Sequence, residues 1–437
     1  MKKILPFSSI FLFLFLAMNA HKQISLEQAI KHGLEMSGSY KNKFLSEKTA
    51  ELRVEQSFKN KLFRLGFNAN YLYKSETMTI EFPGVEIPEI ISVPGQSFEA
   101  GVHHNYDLSL DLHQPLFTGG VLNNMMEMEK VRKALESNQR KLEKNSIVEL
   151  IKSTFFDYHI LKSRKKAVLS LQKSLKLHSQ KLTNLFEEGL VKKTDLLETK
   201  KSLEQTEMDV IGLDQAIEKV RIDFHQMCGH YPEEIKRGYQ EEERSKDQAL
   251  EYFKMSHPVL KTLQHQRDIL ELQKKIAEGK YLPSINGFAE LHYGKPGIDF
   301  FEKEWSLYFQ GGVTLTIPVF DWNRCSGEKR ILDLNIQKLE NQKNDFIKEI
   351  VNTLDQLYST KKWLNQKKDS IENMIEYSKE DAELKEGLYK EKQISNKDYL
   401  AALQGKRKYD AMMDEIILQI EKIKIRINTL ISRTKEY

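Results

Sequence analysis

The feature that most constrains this chain is an internal duplication of its sequence. Residues 112–117 (LHQPLF) recur 203 residues later as 315–320 (LTIPVF), and residues 191–197 recur at the same offset as 394–400. Because the register holds over a long stretch, the chain is predicted to fold as two similar halves.

A second pair of signals shows where the halves differ. A Ser-x-x-Gln capping box, the sequence signature of a helix start, lies at Ser25 and again 220 residues later at Ser245. The offsets of 220 and 203 differ by 17, so the first copy carries seventeen extra residues before its Pro-x-Phe. Residues 74–104 contain them, and their Pro-Gly pairs and glutamates predict an exposed loop.

Each copy is predicted to run helix, strand, loop, strand, long helix, tight turn and helix, because two hydrophobic periods alternate along it. Period two marks the strands, and heptad steps from Leu161 through Val168 to Leu175 mark helices that pack as coiled coils. The long helices would each be ~100 Å long at 1.5 Å per residue. The expected bounds are about 25–60 and 247–280 for the first helices, 63–73 with 105–116 and 284–293 with 307–319 for the strands, 121–187 and 322–388 for the long helices, and 194–228 and 397–431 for the return helices.

The strands alternate apolar and polar side chains, which gives each strand one apolar and one polar face. A lipid-facing surface is therefore predicted, and a soluble two-sided sheet remains the alternative because it shows the same alternation. The predicted lipid-facing residues include Leu108, Leu110, Leu112, Val313 and Leu315. Near the loop ends lie Tyr71, Tyr73 and Tyr293, where a membrane barrel carries aromatic residues.

The N-terminus has the three-part layout of a secretory signal peptide. Met1-Lys2-Lys3 precedes an apolar stretch from Ile10 to Met18, and cleavage is predicted after Ala20. The apolar stretch is shorter than the ~20 residues of a helical membrane span, which argues against an anchor. The predicted division is 1–20 as signal peptide, 21–230 as the first repeat, 231–244 as a connector, 245–432 as the second repeat and 433–437 as a tail.

Composition and the reactive side chains exclude several classes of function. A formal net charge of +4 is too small a surplus to indicate nucleic-acid binding. Cys228 and Cys325 are expected ~50 Å apart along the helices, so both thiols should be free. His225, Cys228 and His230 have metal-binding side chains, but no second cluster completes a tetrahedral set. No catalytic arrangement is legible, so we expect no enzyme, no metal site and no cofactor, with the histidines on the surface or in a lumen.

Four strands are too few for a closed membrane barrel, because the smallest closed transmembrane barrels need about eight. Several chains would have to share one barrel. Three copies would supply twelve strands, an even number with room for a lumen.

In this combination the chain resembles the TolC-like outer-membrane efflux proteins. The resemblance rests on the signal peptide, the duplicated halves and a set of short motifs at 114–120, 188–197, 256–260, 281–285 and 317–321. It implies a mainly α fold with β strands, in which a homotrimer forms a twelve-stranded barrel in the cell outer membrane, continued by a periplasmic α-helical barrel. It also implies a passive export channel that docks a periplasmic adaptor protein and an inner-membrane pump.

Two groups of site residues follow. The turn of Gly189, Leu190, Val191 and Thr194 is predicted to be the adaptor-docking tip, since glycine takes the positive φ that ends a helix and leaves Leu190 and Val191 exposed. A solvated hairpin without a partner is the alternative. In the second copy Lys392 replaces the glycine that the family usually has there.

The resemblance also implies a periplasmic gate. Asp398 matches the first of two aspartates that ring the mouth, Ala401 replaces the second, and Asp195 is the counterpart in the first copy. Asp398 is equally suited to capping its own helix together with Ser395. Two other functions remain open beside the efflux channel: a type I protein-secretion duct and a periplasmic structural coiled-coil protein.

Overall fold

The computed structural model describes residues 24–87, 91–236, 242–299 and 301–431. The predicted signal peptide with its cleavage site, the C-terminal tail and part of the connector lie outside these residues. The chain is mostly helical, with some strands. None of the helices within the described residues is long and apolar enough to cross a membrane.

The elements follow the predicted order in both halves. The first half contains α1 (Leu26–Met36), α2 (Gly38–Lys59), β1 (Arg64–Tyr73), β2 (Met78–Phe82), β3 (Val85–Ile87), β4 (Ile91–Val93), β5 (Gln96–Ala100), β6 (His104–Thr118), α3 (Val121–Glu187) and α4 (Lys193–Cys228). The second half contains α5 (Lys246–Ser256), α6 (Pro258–Gly279), β7 (Ser284–Lys295), β8 (Ser306–Thr316), α7 (Arg324–Lys390) and α8 (Asn396–Leu430). Both predicted capping boxes are formed, at Ser25 with Gln28 and at Ser245 with Gln248.

The prediction of a single helix over 25–60, and again over 247–280, is wrong. Each segment is two helices, separated at Ser37 and at His257, where the backbone is extended. Pro258 explains the second break, because proline disfavours helical geometry in the residue before it. At the first break the Ser37 hydroxyl accepts a hydrogen bond from the Tyr40 backbone N–H at 3.2 Å, so Ser37 caps the new helix.

The predicted loop at 74–104 is exposed but contains regular structure. β2 pairs with β5 and β3 pairs with β4, both antiparallel. Phe82 on β2 and Phe98 on β5 have ring centroids 5.9 Å apart, and both remain more than 40% exposed. The aromatic and β-branched side chains of this segment favour strands, and strands form although its Pro-Gly pairs predicted a loop.

The four long strands form one open antiparallel sheet in the order β1-β6-β7-β8. Both predicted strand pairs are present, and the β6–β7 pairing joins the two sequence copies. The register sets Leu65 opposite Leu112 and Leu110 opposite Leu291, so apolar residues face apolar residues across the strands. A register shift between Pro115 and Phe117 interrupts the β6–β7 pairing near the C-terminal end of β6.

The described chain divides into two compact units, each with segments of both sequence copies. One comprises residues 24–45, 137–236, 242–262 and 343–431, and the other 46–87, 91–136, 263–299 and 301–342. The helical unit repeats its core: Ile151, Phe224 and Cys228 pack around α1, and their counterparts 203 residues later pack around α5. Those counterparts are Leu354, Ile427 and Ile431. Both cysteines are free thiols, as predicted, with Cys228 buried.

Three glycines of the first copy are replaced by larger residues that keep the same left-handed backbone. Gly119 and Gly120 correspond to Trp322 and Asn323, and Gly189 corresponds to Lys392. The second-copy residues have φ of 54°, 61° and 59° in that order. L-residues other than glycine rarely adopt this conformation, so the tertiary fold imposes the same turns on both copies.

Candidate functional site

One face of the sheet is apolar from edge to edge. The register places the predicted residues Leu108, Leu110, Leu112, Val313 and Leu315 on this face, together with Leu65, Phe67, Leu291 and Phe309. Within the single chain most of them are exposed, Phe67 at 68% and Val313 at 64%. Water does not favour a contiguous apolar surface of this kind, so the face requires a partner or lipid.

An aromatic group lies at the loop end of this sheet. Tyr71 contacts Tyr106 with centroids 5.1 Å apart, and Trp305 lies 5.6 Å from Tyr106 and 4.9 Å from Tyr293. Sequence reasoning identified Tyr71 and Tyr293 but missed Trp305, which directly precedes β8. Aromatic side chains from four positions therefore cluster at the loop end of the apolar face.

The opposite face of the sheet is polar, and it contains a group that sequence reasoning missed. Among the described residues, Asp111, Glu290 and His292 form the only set whose potential metal-ligand atoms lie within 4.8 Å of one another. Strand alternation placed them on the polar face, but the pairing of β6 with β7 was needed to bring them together.

His225, Cys228 and His230, at and just after the end of α4, contact three different partners. The His225 ring stacks on Tyr231 with centroids 4.4 Å apart, and the Cys228 thiol donates to the Phe224 carbonyl at 3.2 Å. His230 Nε2 lies 2.6 Å from Nδ1 of His32. Burial raises the pKa of Cys228 to about 11, which keeps the thiol protonated and unreactive.

The two helical hairpins end in equivalent turns. In the first, the Leu190 N–H donates to the Leu185 carbonyl at 2.8 Å and Gly189 has φ of 73°. In the second, the Gln393 N–H donates to the Leu388 carbonyl at 2.9 Å. Both turns have the Schellman pattern, which satisfies the last helical carbonyls. Leu190 is 50% exposed, as predicted for the tip, and Val191 is partly exposed.

A buried polar junction holds the two hairpins together just above these turns. Asn396, at the start of α8, accepts a hydrogen bond from His178 of α3, and its amide donates to Thr199 Oγ1 at 3.0 Å and to the Asp195 carbonyl at 3.2 Å. The rings of Tyr389 and Tyr399 stack 5.1 Å apart, and each meets the His178 ring edge-on.

Burial lowers the pKa of His178, although its hydrogen bond to Asn396 opposes the shift. His178 and His257 are both buried, so the prediction that the histidines lie on the surface or in a lumen is wrong for these two. No local sequence pattern marked them, because their burial depends on contacts between distant helices.

Beside this junction a groove of about 700 Å³ runs between the two hairpins. Its apolar lining comes from Leu185, Leu190, Val191 and Ile394, and its charged lining includes Lys181, Lys192, Glu386, Lys390 and Lys392. A groove lined by apolar and mostly basic side chains is suited to an acidic or amphipathic segment of another protein.

The two predicted gate aspartates differ in their surroundings. Asp398 is exposed, accepts a hydrogen bond from the Ser395 hydroxyl at 2.6 Å, and donates its backbone N–H to the same oxygen at 3.2 Å. The hydrogen bond from Ser395 lowers the pKa of Asp398. Asp195 is partly exposed in the first turn of α4. The capping contacts considered as the alternative for Asp398 are therefore formed.

Comparison with solved structures identifies the fold. The outer membrane protein VceC of Vibrio cholerae superposes with a TM-score of 0.74 at 13% identity, covering 93% of this chain and 96% of that one. The CmeC outer membrane channel of Campylobacter jejuni gives 0.74 at 13% identity, covering 94% and 87%. The open-state MtrE outer membrane channel of Neisseria gonorrhoeae gives 0.72 at 15% identity, covering 94% and 90%. This chain has the TolC-like outer-membrane channel fold.

The fold likeness covers nearly the whole chain, whereas the sequence has diverged widely. Searches with protein-family models and among curated proteins find no match. The resemblance drawn from the short motifs is thus confirmed at the level of the fold. In this TolC-like fold, the predicted tip residues lie at the end of one hairpin, beside Asp195, and Asp398 lies in the first turn that follows the other.

Proposed function

We propose that this protein is the outer-membrane channel of a tripartite export system, a passive duct and not an enzyme. Three chains would form a twelve-stranded barrel in the outer membrane, with the helices continuing as a periplasmic tunnel. A periplasmic adaptor protein and an inner-membrane pump would dock at the helical tip. The fold, shared over more than nine-tenths of the chain with known outer membrane channels, supports this assignment.

The observation that carries the proposal is the sheet. In the described chain β1 and β8 each pair on one side only, so two strand edges remain open beside an exposed apolar face. In lipid every backbone N–H and C=O needs a partner, and a closed barrel is the strand arrangement that provides it. Joining β8 of one chain to β1 of the next removes both edges, and three copies give twelve strands.

Fractionation and detergent solubility test the location. The mature protein should be found with the outer membrane and should require detergent for extraction, where light scattering should give three chains per particle. Recovery as a soluble periplasmic protein would instead support the structural coiled coil. Purified trimers should also give ion conductance in planar bilayers, which a solid structural rod would lack.

The groove between the hairpins is proposed to be where the adaptor docks. Leu190 is exposed and contributes to the groove, so a photo-crosslinking residue at position 190 should capture an envelope protein in intact cells. Ile211, which is 64% exposed in the middle of α4, provides a matched position away from the tip. Capture at both positions, or at neither, would argue for a solvated hairpin without a specific partner.

A further inference from the structure

The polar face of the sheet carries a compact set of nitrogen and oxygen ligands. Asp111 on β6 lies directly opposite Glu290 on β7, and His292 lies two residues along β7 on the same face. One ligand atom from each of the three lies within 4.8 Å of the others. Asp111 is only 8% exposed, so its carboxylate is largely shielded from water within the chain.

Two carboxylates directly opposite each other on paired strands repel and destabilise the pairing. Within the described residues, no lysine or arginine forms an ion pair with Asp107, Asp111 or Glu290. Asp111 accepts hydrogen bonds from the Asn68 amide and, at 3.2 Å, from the Ser109 hydroxyl. Glu290 accepts one from the Gln310 amide at 2.5 Å. These neutral donors orient the carboxylates but do not neutralise them, and His292 offsets the charge of Asp107 and Glu290 only when its ring is protonated.

The His292 ring is held by contacts on both nitrogens and on one face. His292 Nδ1 lies 2.9 Å from an Asp107 oxygen, and its Nε2 lies 3.4 Å from Glu290 Oε2. The Tyr308 ring stacks on the imidazole with centroids 4.8 Å apart. When Nδ1–H donates to Asp107, Nε2 carries the lone pair, which lies beside Glu290 and within 3.3 Å of the Gln310 amide, so a metal ion would displace that amide contact. A carboxylate behind a metal-binding histidine fixes its tautomer and strengthens its basicity.

We propose that Asp111, Glu290 and His292 bind a divalent transition-metal ion, with Asp107 as the positioning residue for the histidine. One imidazole and two carboxylates suit Zn²⁺ and related ions, whereas Mg²⁺ and Ca²⁺ prefer oxygen ligands alone. Three protein ligands leave one position of a tetrahedral ion open to water or an exported solute. All ligands come from one chain, so the site does not depend on the proposed trimer or on its partners.

Zinc binding to the full-length protein in detergent tests the proposal. After treatment with EDTA and removal of any affinity tag, equilibrium dialysis against Zn²⁺ should give one ion per chain. Glu290→Gln and His292→Gln should each weaken binding at least about tenfold, and Asp107→Asn should weaken it by about 10- to 100-fold. His113→Ala, on the same face but outside the cluster, is the matched control and should bind Zn²⁺ as the wild type does.

Co²⁺ absorbance provides a second measurement that needs no variant. Wild-type protein should show visible d–d bands typical of low-coordinate Co²⁺ with a nitrogen ligand, and added Zn²⁺ should abolish them while excess Mg²⁺ should not. The proposal is overturned if the wild type binds no stoichiometric Zn²⁺, or if His292→Gln binds it as tightly as the wild type.

Discussion

Mild acid should weaken the helical unit through one buried histidine. His257 follows α5 and is 5% exposed. Its Nδ1 accepts a hydrogen bond from the Val259 backbone N–H at 3.2 Å, and its ring packs against Phe253 and Phe346 with centroids 5.0 and 5.4 Å away. Burial lowers the pKa of His257 from its ordinary 6.5 to about 4, while a backbone hydrogen bond with Leu430 opposes the shift.

The sign of the effect follows from proton binding in the two states. Between pH 6.5 and 4 the imidazole is protonated in the unfolded chain but neutral in the folded one, so the unfolded state holds more protons and the free energy of unfolding falls as pH falls. A pKa unit corresponds to about 1.4 kcal/mol. The lowering of the pKa to about 4 therefore predicts a loss of about 2–3 kcal/mol between pH 7.5 and pH 4.5.

His257→Asn isolates this contribution. Asparagine retains an acceptor for the Val259 N–H but does not titrate, so the variant should lose about 2–3 kcal/mol less than the wild type over the same pH interval. Urea unfolding of the purified protein at several pH values measures the difference. Contributions common to both proteins, including those of His178 and the carboxylates, cancel in the comparison.

Ser37→Ala serves as the control, because Ser37 occupies the equivalent helix break in the first copy and does not titrate. It should reduce stability by about 1 kcal/mol at every pH, as expected for loss of a cap. If His257→Asn has the same pH dependence as the wild type, the buried neutral histidine does not account for the acid sensitivity, and the reasoning is refuted.

Three further predictions concern the second hairpin turn, the sheet and the predicted gate. Lys392→Gly should stabilise the protein by about 1 kcal/mol in denaturant unfolding, because it relieves a left-handed backbone with φ of 59°, whereas Gly189→Ala should destabilise it. Leu110→Arg should impair trimer assembly, because an arginine on a lipid-facing surface near the midplane costs ~2–4 kcal/mol. Thr314→Arg, on the opposite face of the sheet, is the control and should assemble. A normal yield of Leu110→Arg trimers would contradict the assignment of this face to lipid. Asp398→Asn should weaken cation preference and block by multivalent cations in single-channel recordings, with trimer stability nearly unchanged. Unchanged selectivity with a small loss of stability at the tip would leave Asp398 as a helix cap only.

Much of the fold was predictable because its signals are local. The capping boxes at Ser25 and Ser245 and the glycine at 189 each act within about one helical turn, and they marked helix ends to within a few residues. The alternation in β6 and β8 gave the apolar face directly, since successive strand residues point to opposite sides. The same locality applies to the predicted docking tip, where the exposure of Leu190 follows from the turn itself.

Other features required the tertiary structure, because they depend on residues that are distant in the sequence. The pairing of β6 with β7 brings Asp111 and Glu290 together although 179 positions separate them, and no spacing rule connects them. Packing between helices buries His178 and His257, which the sequence presents as ordinary polar residues. Lys392 shows the same dependence in the backbone: its own preference opposes a positive φ, yet the turn that the packed hairpin requires imposes it. The sequence by itself determined which elements form and which face of each is apolar, because those are decided over a few residues. The tertiary structure decided which polar groups meet and which are buried, because those contacts depend on how distant segments pack together.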